Sequence, residues 1–180
     1  MRFKYCPDCG AALAARDLGD DLQVPWCERC DKPWFDVFPT CVISLVYNGD
    51  GEVLLLHQGY ISHQYANLVS GYMTPGESAE EAAAREIHEE TGLEVVDLES
   101  AGTYWFQRKE MLMIGFLARV RDGQPVRTSS EVDRAEWVKA EAAPGLVHPF
   151  GSVSHTLCDL YLKRKSKKVY HNGPSGPSAD

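Results

Sequence analysis

Residues 71–93 read Gly-Tyr-Met-Thr-Pro-Gly-Glu-Ser-Ala-Glu-Glu-Ala-Ala-Ala-Arg-Glu-Ile-His-Glu-Glu-Thr-Gly-Leu, and this stretch restricts folding more than any other in the chain. Gly71, Pro75 and Gly76 call for a loop at its start. Ser78, followed three residues later by Glu81, has the capping-box pattern, so a helix is expected to begin there. Three alanines extend it, and Gly92 stands where a left-handed C-cap belongs. Inside this helix Glu86, Glu89 and Glu90 fall at i, i+3 and i+4, an arc of about 100° on one face. Carboxylates stacked so closely repel one another. A hard divalent cation removes that repulsion, because Mg²⁺ favours carboxylate and water oxygens and also holds substrate phosphates. Ile87 points elsewhere and can anchor the helix to a core. Arg85 and Glu77 are expected to pair, clamping the loop to the helix. A merely solvated acidic helix would account for Glu80 and Glu81, but not for the flanking Gly71, Gly76, Glu77 and Gly92.

This segment resembles the Nudix box, G-x5-E-x7-R-E-U-x-E-E-x-G-U with U aliphatic. Gly71, Glu77, Arg85, Glu86, Ile87, Glu89, Glu90, Gly92 and Leu93 match all of its fixed positions. The resemblance implies an α+β fold, a Nudix α/β/α sandwich with a mixed sheet. It implies Glu86, Glu89 and Glu90 as ligands of one to three Mg²⁺ or Mn²⁺ ions, with Arg85 and Glu77 completing the catalytic set. Such ions neutralise a diphosphate, lower the pKa of a bound water and orient it for attack on phosphorus. A box glutamate, or one in a loop outside the box, would take the proton.

Cys6-Pro7-Asp8-Cys9 and Cys27-Glu28-Arg29-Cys30 form two Cys-x-x-Cys pairs separated by 17 residues. Two such knuckles complete a tetrahedral Cys₄ site, so a structural Zn²⁺ is expected on Cys6, Cys9, Cys27 and Cys30, against a redox pair or isolated thiols. Cys41, in a presumed strand, and Cys158, in a presumed helix, read as small core residues.

A zinc ribbon followed directly by a Nudix box resembles the NADH pyrophosphatase (NAD diphosphatase) family, over roughly residues 3–163. Leu112-Met113-Ile114-Gly115-Phe116 is similar to that family's Leu-Met-x-x-Phe strand. Glu131-Val132-x-x-Ala135-x-Trp137 is similar to its Glu-aliphatic-x-x-Ala-x-Trp turn, which makes Glu131 a fourth candidate metal carboxylate. Tyr72 matches an aromatic that stacks on a base or nicotinamide ring, with an ordinary core aromatic as the other reading. The family's Ser-Gln-Pro-Trp-Pro-Phe-Pro-x-Ser signature is missing. Its place holds Gly102 to Met111, where Trp105 and Phe106 either line the nucleotide pocket or fill the sheet. The extra N-terminal domain of many members is also not seen ahead of the ribbon. The hydrolytic chemistry therefore carries over better than the preference for NADH.

Three segments are expected: a zinc ribbon over 1–37, a Nudix domain over 38–165 and a disordered tail over 166–180, Gly/Pro/Ser-rich from Asn172. The ribbon has few aliphatic residues and would need its metal as a staple. Strands are expected over 41–47, 52–57, 94–98, 102–105, 111–120 and 132–138, and a helix over 152–163. The turn Asn48-Gly49-Asp50-Gly51 joins the first two. The six histidines show no ligand spacing. No uninterrupted apolar run reaches the ~18 residues of a membrane span, and the N-terminus lacks the apolar core of a secretory signal, so a cytoplasmic location without membrane association is expected. The net charge of −8 argues against general nucleic-acid binding. The basic run at 163–168 reads as the solvated end of a helix, with binding to an anionic partner as the alternative.

The expected function is a divalent-metal-dependent pyrophosphohydrolase that cleaves NAD(H), or a related nucleoside diphosphate derivative, to NMN(H) and AMP. ADP-ribose or another nucleoside diphosphate derivative is the alternative substrate. A nucleotide-sensing Nudix module is the non-enzymatic alternative, and retention of all three box glutamates weighs against it. The resemblance also brings NAD-capped RNA as a partner, which the acidic composition does not favour, and a homodimer.

Overall fold

The protein is described by a computed structural model for residues 3–171, with side chains to residue 167. It divides into two compact units, Met1–Phe38 and Pro39–Asp180.

The first unit is a three-stranded antiparallel sheet of β1 (Ala14–Leu18), β2 (Asp21–Cys27) and β3 (Lys32–Pro33) in that order. Among the described residues its buried side chains are Cys6, Val24, Pro25 and Cys27. So small a core cannot offset the chain entropy of ordering the unit, which leaves the cysteines as the obvious staple.

The second unit is built on a six-stranded mixed sheet. Its strands are β4 (Thr40–Tyr47), β5 (Glu52–His57), β6 (Val69–Tyr72), β7 (Val95–Phe106), β8 (Met111–Val120) and β9 (Arg134–Lys139). The order is β7-β8-β4-β5-β9, with β6 pairing the first half of β4. β4 and β8 run parallel and the other pairs are antiparallel. Both faces of β4 are buried, which explains its unbroken apolar run. Helix α1 (Ala79–Thr91) covers one face, where Ala82, Ala83 and Ile87 join the clusters of Val42, Val46 and Val69. The short α2 (Ala143–Leu146) and long α3 (Val153–His171) cover the other, packing Ala143, Leu157 and Tyr161 against Ile43, Leu45 and Leu55. The result is the expected α/β/α sandwich with a mixed sheet.

Three local expectations are corrected. Gly71 and Tyr72 lie in a strand and not a loop, paired with Val42 and Cys41 of β4. The two strands expected over 94–105 are one, β7, whose register slips between Ser100 and Thr103 beside the positive-φ Gly102. A bulge keeps a strand continuous while interrupting the alternation that reveals it in sequence. Helix α3 continues to His171, so residues 166–171 are helical and the basic run lies within the helix. There Arg164 pairs with Glu99, and Lys165 with Glu141 at 3.1 Å. The expected disorder over 172–180 lies outside the described residues. No helix among those residues is long and apolar enough to cross a membrane.

Candidate active site

Local chemistry fixes the helix that carries the acidic residues. Ser78 Oγ accepts from the Glu81 N–H at 3.2 Å, and Glu81 Oε2 accepts from the Ser78 N–H at 2.8 Å, completing the capping box. At the other end Gly92 adopts φ 70° and its N–H donates to the His88 carbonyl at 2.8 Å.

The face of α1 turned to the sheet brings Glu86 onto β6. A Cβ placed on Gly71 would lie 2.0 Å from Glu86 Cδ, so the glycine is needed for close approach of the carboxylate. Arg85 ties the surrounding acids together. Its Nε and Nη2 donate to Glu77 Oε2 and Oε1 at 3.0 and 2.9 Å, a two-pronged pair. Its Nη1 reaches Glu86 Oε1 at 2.7 Å and Glu89 Oε2 at 2.9 Å, and Nη2 also donates to the Tyr72 carbonyl at 3.1 Å. Glu77 Oε1 accepts a further bond from the Thr74 N–H at 2.6 Å. The Arg85 guanidinium, followed by that N–H, holds the Glu77 carboxyl at about 2. The expected loop-to-helix clamp is therefore present in the geometry.

Glu90 differs from its neighbours. It is only 5% exposed. Its Oε1 accepts from Gln58 Nε2 at 3.3 Å, while Oε2 is buried with no hydrogen-bond partner. Burial, and next the charge of Glu86, push its carboxyl up to about 7, with Glu131 adding to the effect. A buried carboxylate oxygen without a donor, among other carboxylates, fits a divalent cation as its missing partner. The carboxylates are not gathered into a ready cage. Among the described residues only the four cysteines bring three or more ligand atoms within 4.8 Å of one another. Glu77, Glu86 and Glu89 are instead arranged around the Arg85 guanidinium.

Glu131 lines an open cleft of about 640 Å³ together with Gly59, Tyr60, His63, Ser130 and Asp133. Asp133 Oδ2 accepts from the Gly59 N–H at 2.7 Å, joining the two loops that form the cleft. Gln58, Tyr60, His63 and Asp133 belong to no sequence motif. They sit in irregular loops after β5 and before β9, where spacing carries no periodic signal.

The three aromatics expected at the substrate do not share one surface. Tyr72, Cys41, Met113 and Tyr104 form one row across the sheet, and Phe106 falls on the same face as Tyr104. Trp105, one residue from Phe106, projects to the opposite face. Tyr72 is 55% exposed and Trp105 49%, so neither is a core residue.

In the first unit the four sulfurs converge, Cys6 to Cys30 at 3.9 Å and Cys9 to Cys27 at 3.5 Å. A tetrahedral site with Zn–S of ~2.3 Å requires sulfurs about 3.8 Å apart, so the four could bind zinc. The Ala11 backbone N–H draws the Cys9 thiol down to about 6, while the hydrogen bond with Cys9 pushes the Cys30 thiol up to about 12. Cys41 and Cys158 are buried, and burial pushes their thiols up to about 11 and about 12, as inert core residues.

A sandwich of this topology with a capped acidic helix over a glycine-bearing strand defines a Nudix domain. The NUDIX domain family model matches residues 37–156, and the chain belongs to the Nudix family. Among sequence relatives, the "NAD-capped RNA hydrolase NudC" of Pseudomonas aeruginosa is 32% identical over 163 residues, 91% of this chain and 57% of that protein. The protein of the same name from Pseudomonas fluorescens is 29% identical over 167 residues, again 57% of its length. The chain thus spans less than two thirds of these relatives. Among solved structures, a NUDIX hydrolase from Nitrosomonas europaea superposes with a TM-score of 0.66 at 20% identity, covering 96% of both chains. A Caenorhabditis elegans Ap4A hydrolase gives 0.56 at 21% identity, covering 73% of this chain and 98% of its own. Both show likeness of fold.

Proposed function

We propose that this chain is a divalent-metal-dependent pyrophosphohydrolase that cleaves the diphosphate of NAD(H), or of a related nucleoside diphosphate derivative, giving NMN(H) and AMP from NAD(H). The observation that carries the reading is Glu90, a buried carboxylate with one oxygen lacking any partner, set beside Glu86 on the face of α1 that meets Gly71. Glu86, Glu89 and Glu90, with Glu131 from the cleft, would hold Mg²⁺ or Mn²⁺. When bound, such ions neutralise the diphosphate and lower the pKa of a coordinated water. Arg85 and Glu77 serve by geometry, keeping the loop and Glu86 in register with the helix. The open cleft beside Glu131 leaves room for substrate. Tyr72 and Phe106 share the sheet face away from α1, and Trp105 lies on the face that α1 covers, so any of the three that stacks on a substrate ring would do so from the end of its strand.

The four cysteines would hold a structural Zn²⁺, since a complete Cys₄ shell leaves no position for substrate. Such thiolates suit a reducing, cytoplasmic environment. NAD-capped RNA enters as a substrate from the name of the Pseudomonas relatives. A homodimer remains part of the proposal.

The missing Gln-Pro-Trp signature favours a second reading within the same chemistry, with ADP-ribose or another nucleoside diphosphate derivative as substrate. Turnover of NADH, NAD⁺, ADP-ribose, diadenosine polyphosphates, nucleoside triphosphates and NAD-capped RNA with Mg²⁺ or Mn²⁺ separates the readings. NMN(H) plus AMP as the preferred products supports the first, and preferred ADP-ribose cleavage the second. No metal-dependent hydrolysis of any of them would favour a sensor.

A further inference from the structure

We infer that Gln58 is a positioning residue for Glu90, its buried side-chain amide orienting the carboxylate so that the second oxygen stays turned to the cation. The inference rests on the reading of Glu90 as a metal ligand.

Gln58 follows directly on β5 and is 2% exposed. A primary amide so deeply buried is costly unless its polar atoms find partners. Its Nε2 lies 3.3 Å from Glu90 Oε1 and 3.3 Å from the Tyr60 phenol oxygen. An amide nitrogen has two hydrogens and can serve both acceptors together. The main chain beneath is fixed as well, because the Gln58 carbonyl accepts from the N–H groups of Ile61 and Ser62 at 2.9 and 3.0 Å. The side chain is thus anchored at its base by a turn and divided at its tip between Tyr60 and Glu90.

The kind of donor matters. Arg85 supplies positive charge to Glu86 and Glu89, and so competes with a cation for them. Gln58 supplies a neutral hydrogen bond to one oxygen of Glu90 and brings no positive charge to compete with a cation, and the Ser70 backbone is a second neutral donor to the same carboxyl group. A carboxylate held at Oε1 cannot rotate freely about its terminal bond, so Oε2 keeps one direction. Partners of this kind behind a metal ligand typically change metal affinity or activity about 10- to 100-fold.

Gln58→Met keeps length and volume and removes the donor. Mn²⁺ binding to the full chain, read by electron paramagnetic resonance without nucleotide, is expected to weaken about tenfold or more. The value of kcat should fall while KM stays within about twofold. In a Glu90→Gln background the same change should add no further loss of Mn²⁺ affinity, since the two act through one group. Unchanged Mn²⁺ affinity in a Gln58→Met protein that merely melts earlier overturns the inference, as does an additive loss in the double variant. If Glu90→Gln itself binds Mn²⁺ like the parent chain, the ligand reading fails and the inference with it. Should Gln58→Met not fold, the parent chain decides by nuclear magnetic resonance. The Gln58 side-chain amide is expected to be shifted from random-coil values and to move on adding Mg²⁺, and an unshifted, unresponsive amide overturns the role.

Discussion

Glu90 and Glu77 sit 13 residues apart in sequence and are opposite in character. Glu90 is buried with one unpartnered oxygen, whereas Glu77 accepts from Arg85 twice and from the Thr74 backbone. Removing the charge of Glu90 takes away a proposed metal ligand and little packing. Glu90→Gln is expected to lower kcat about a thousandfold, or ~4 kcal/mol of barrier, while the melting temperature holds or rises. Steady-state rates and calorimetry check this, and near-normal turnover would remove Glu90 from the metal site. Glu77 gives a stability prediction with a definite sign. Its carboxyl is held at about 2 against an ordinary 4.5. Its contribution is therefore complete above pH 4.5 and lost as pH falls through about 2. A Glu77→Gln variant should melt below the parent at pH 6 and approach it as the medium is acidified. Melting curves at several pH values give the test, and a difference that does not change with pH would contradict the clamp.

At the scale of elements, the pairing of β6 with helix α1 sets where the first carboxylate sits. Gly71→Ala would place a methyl within 2.0 Å of Glu86 Cδ. The group it meets is the end of a flexible side chain, so the fold should lose little stability, under about 1 kcal/mol. The carboxylate must move, and displacement on the order of 1 Å in a reacting constellation costs about a hundredfold in rate. Parallel melting and kinetic measurements distinguish this from a folding defect; activity like the parent's would mean that Glu86 does not need its seat on Gly71. The elements differ in how far their sequences announce them. Helix α1 is legible at both ends, because Ser78, Glu81 and Gly92 are chemical signals tied to backbone groups. β4 and β5 are legible from apolar runs joined at Asn48-Gly51. β6 is hidden because Gly71 reads as a turn residue when its actual function is to let Glu86 approach. The bulge near Gly102 breaks the alternation of β7 into two apparent strands. Gln58 is silent in sequence, since a glutamine after a strand looks like any loop polar residue, and only its burial sets it apart.

For the whole molecule, the two units depend on different forces. The Nudix unit has extensive clusters on both faces of its sheet, whereas the Met1–Phe38 unit has little beyond its four cysteines. Zinc removal is expected to unfold the small unit first, read as loss of hydrogen-exchange protection confined to residues 3–38, with the larger unit kept intact. Unchanged protection after chelation would contradict a Cys₄ staple. The central claim concerns the cation. A crystal of the full chain grown with Mn²⁺ and a non-cleavable dinucleotide should show anomalous scattering peaks at the carboxylates of Glu86, Glu89 and Glu90, beside the diphosphate. Bound dinucleotide with no manganese at these three residues would contradict it.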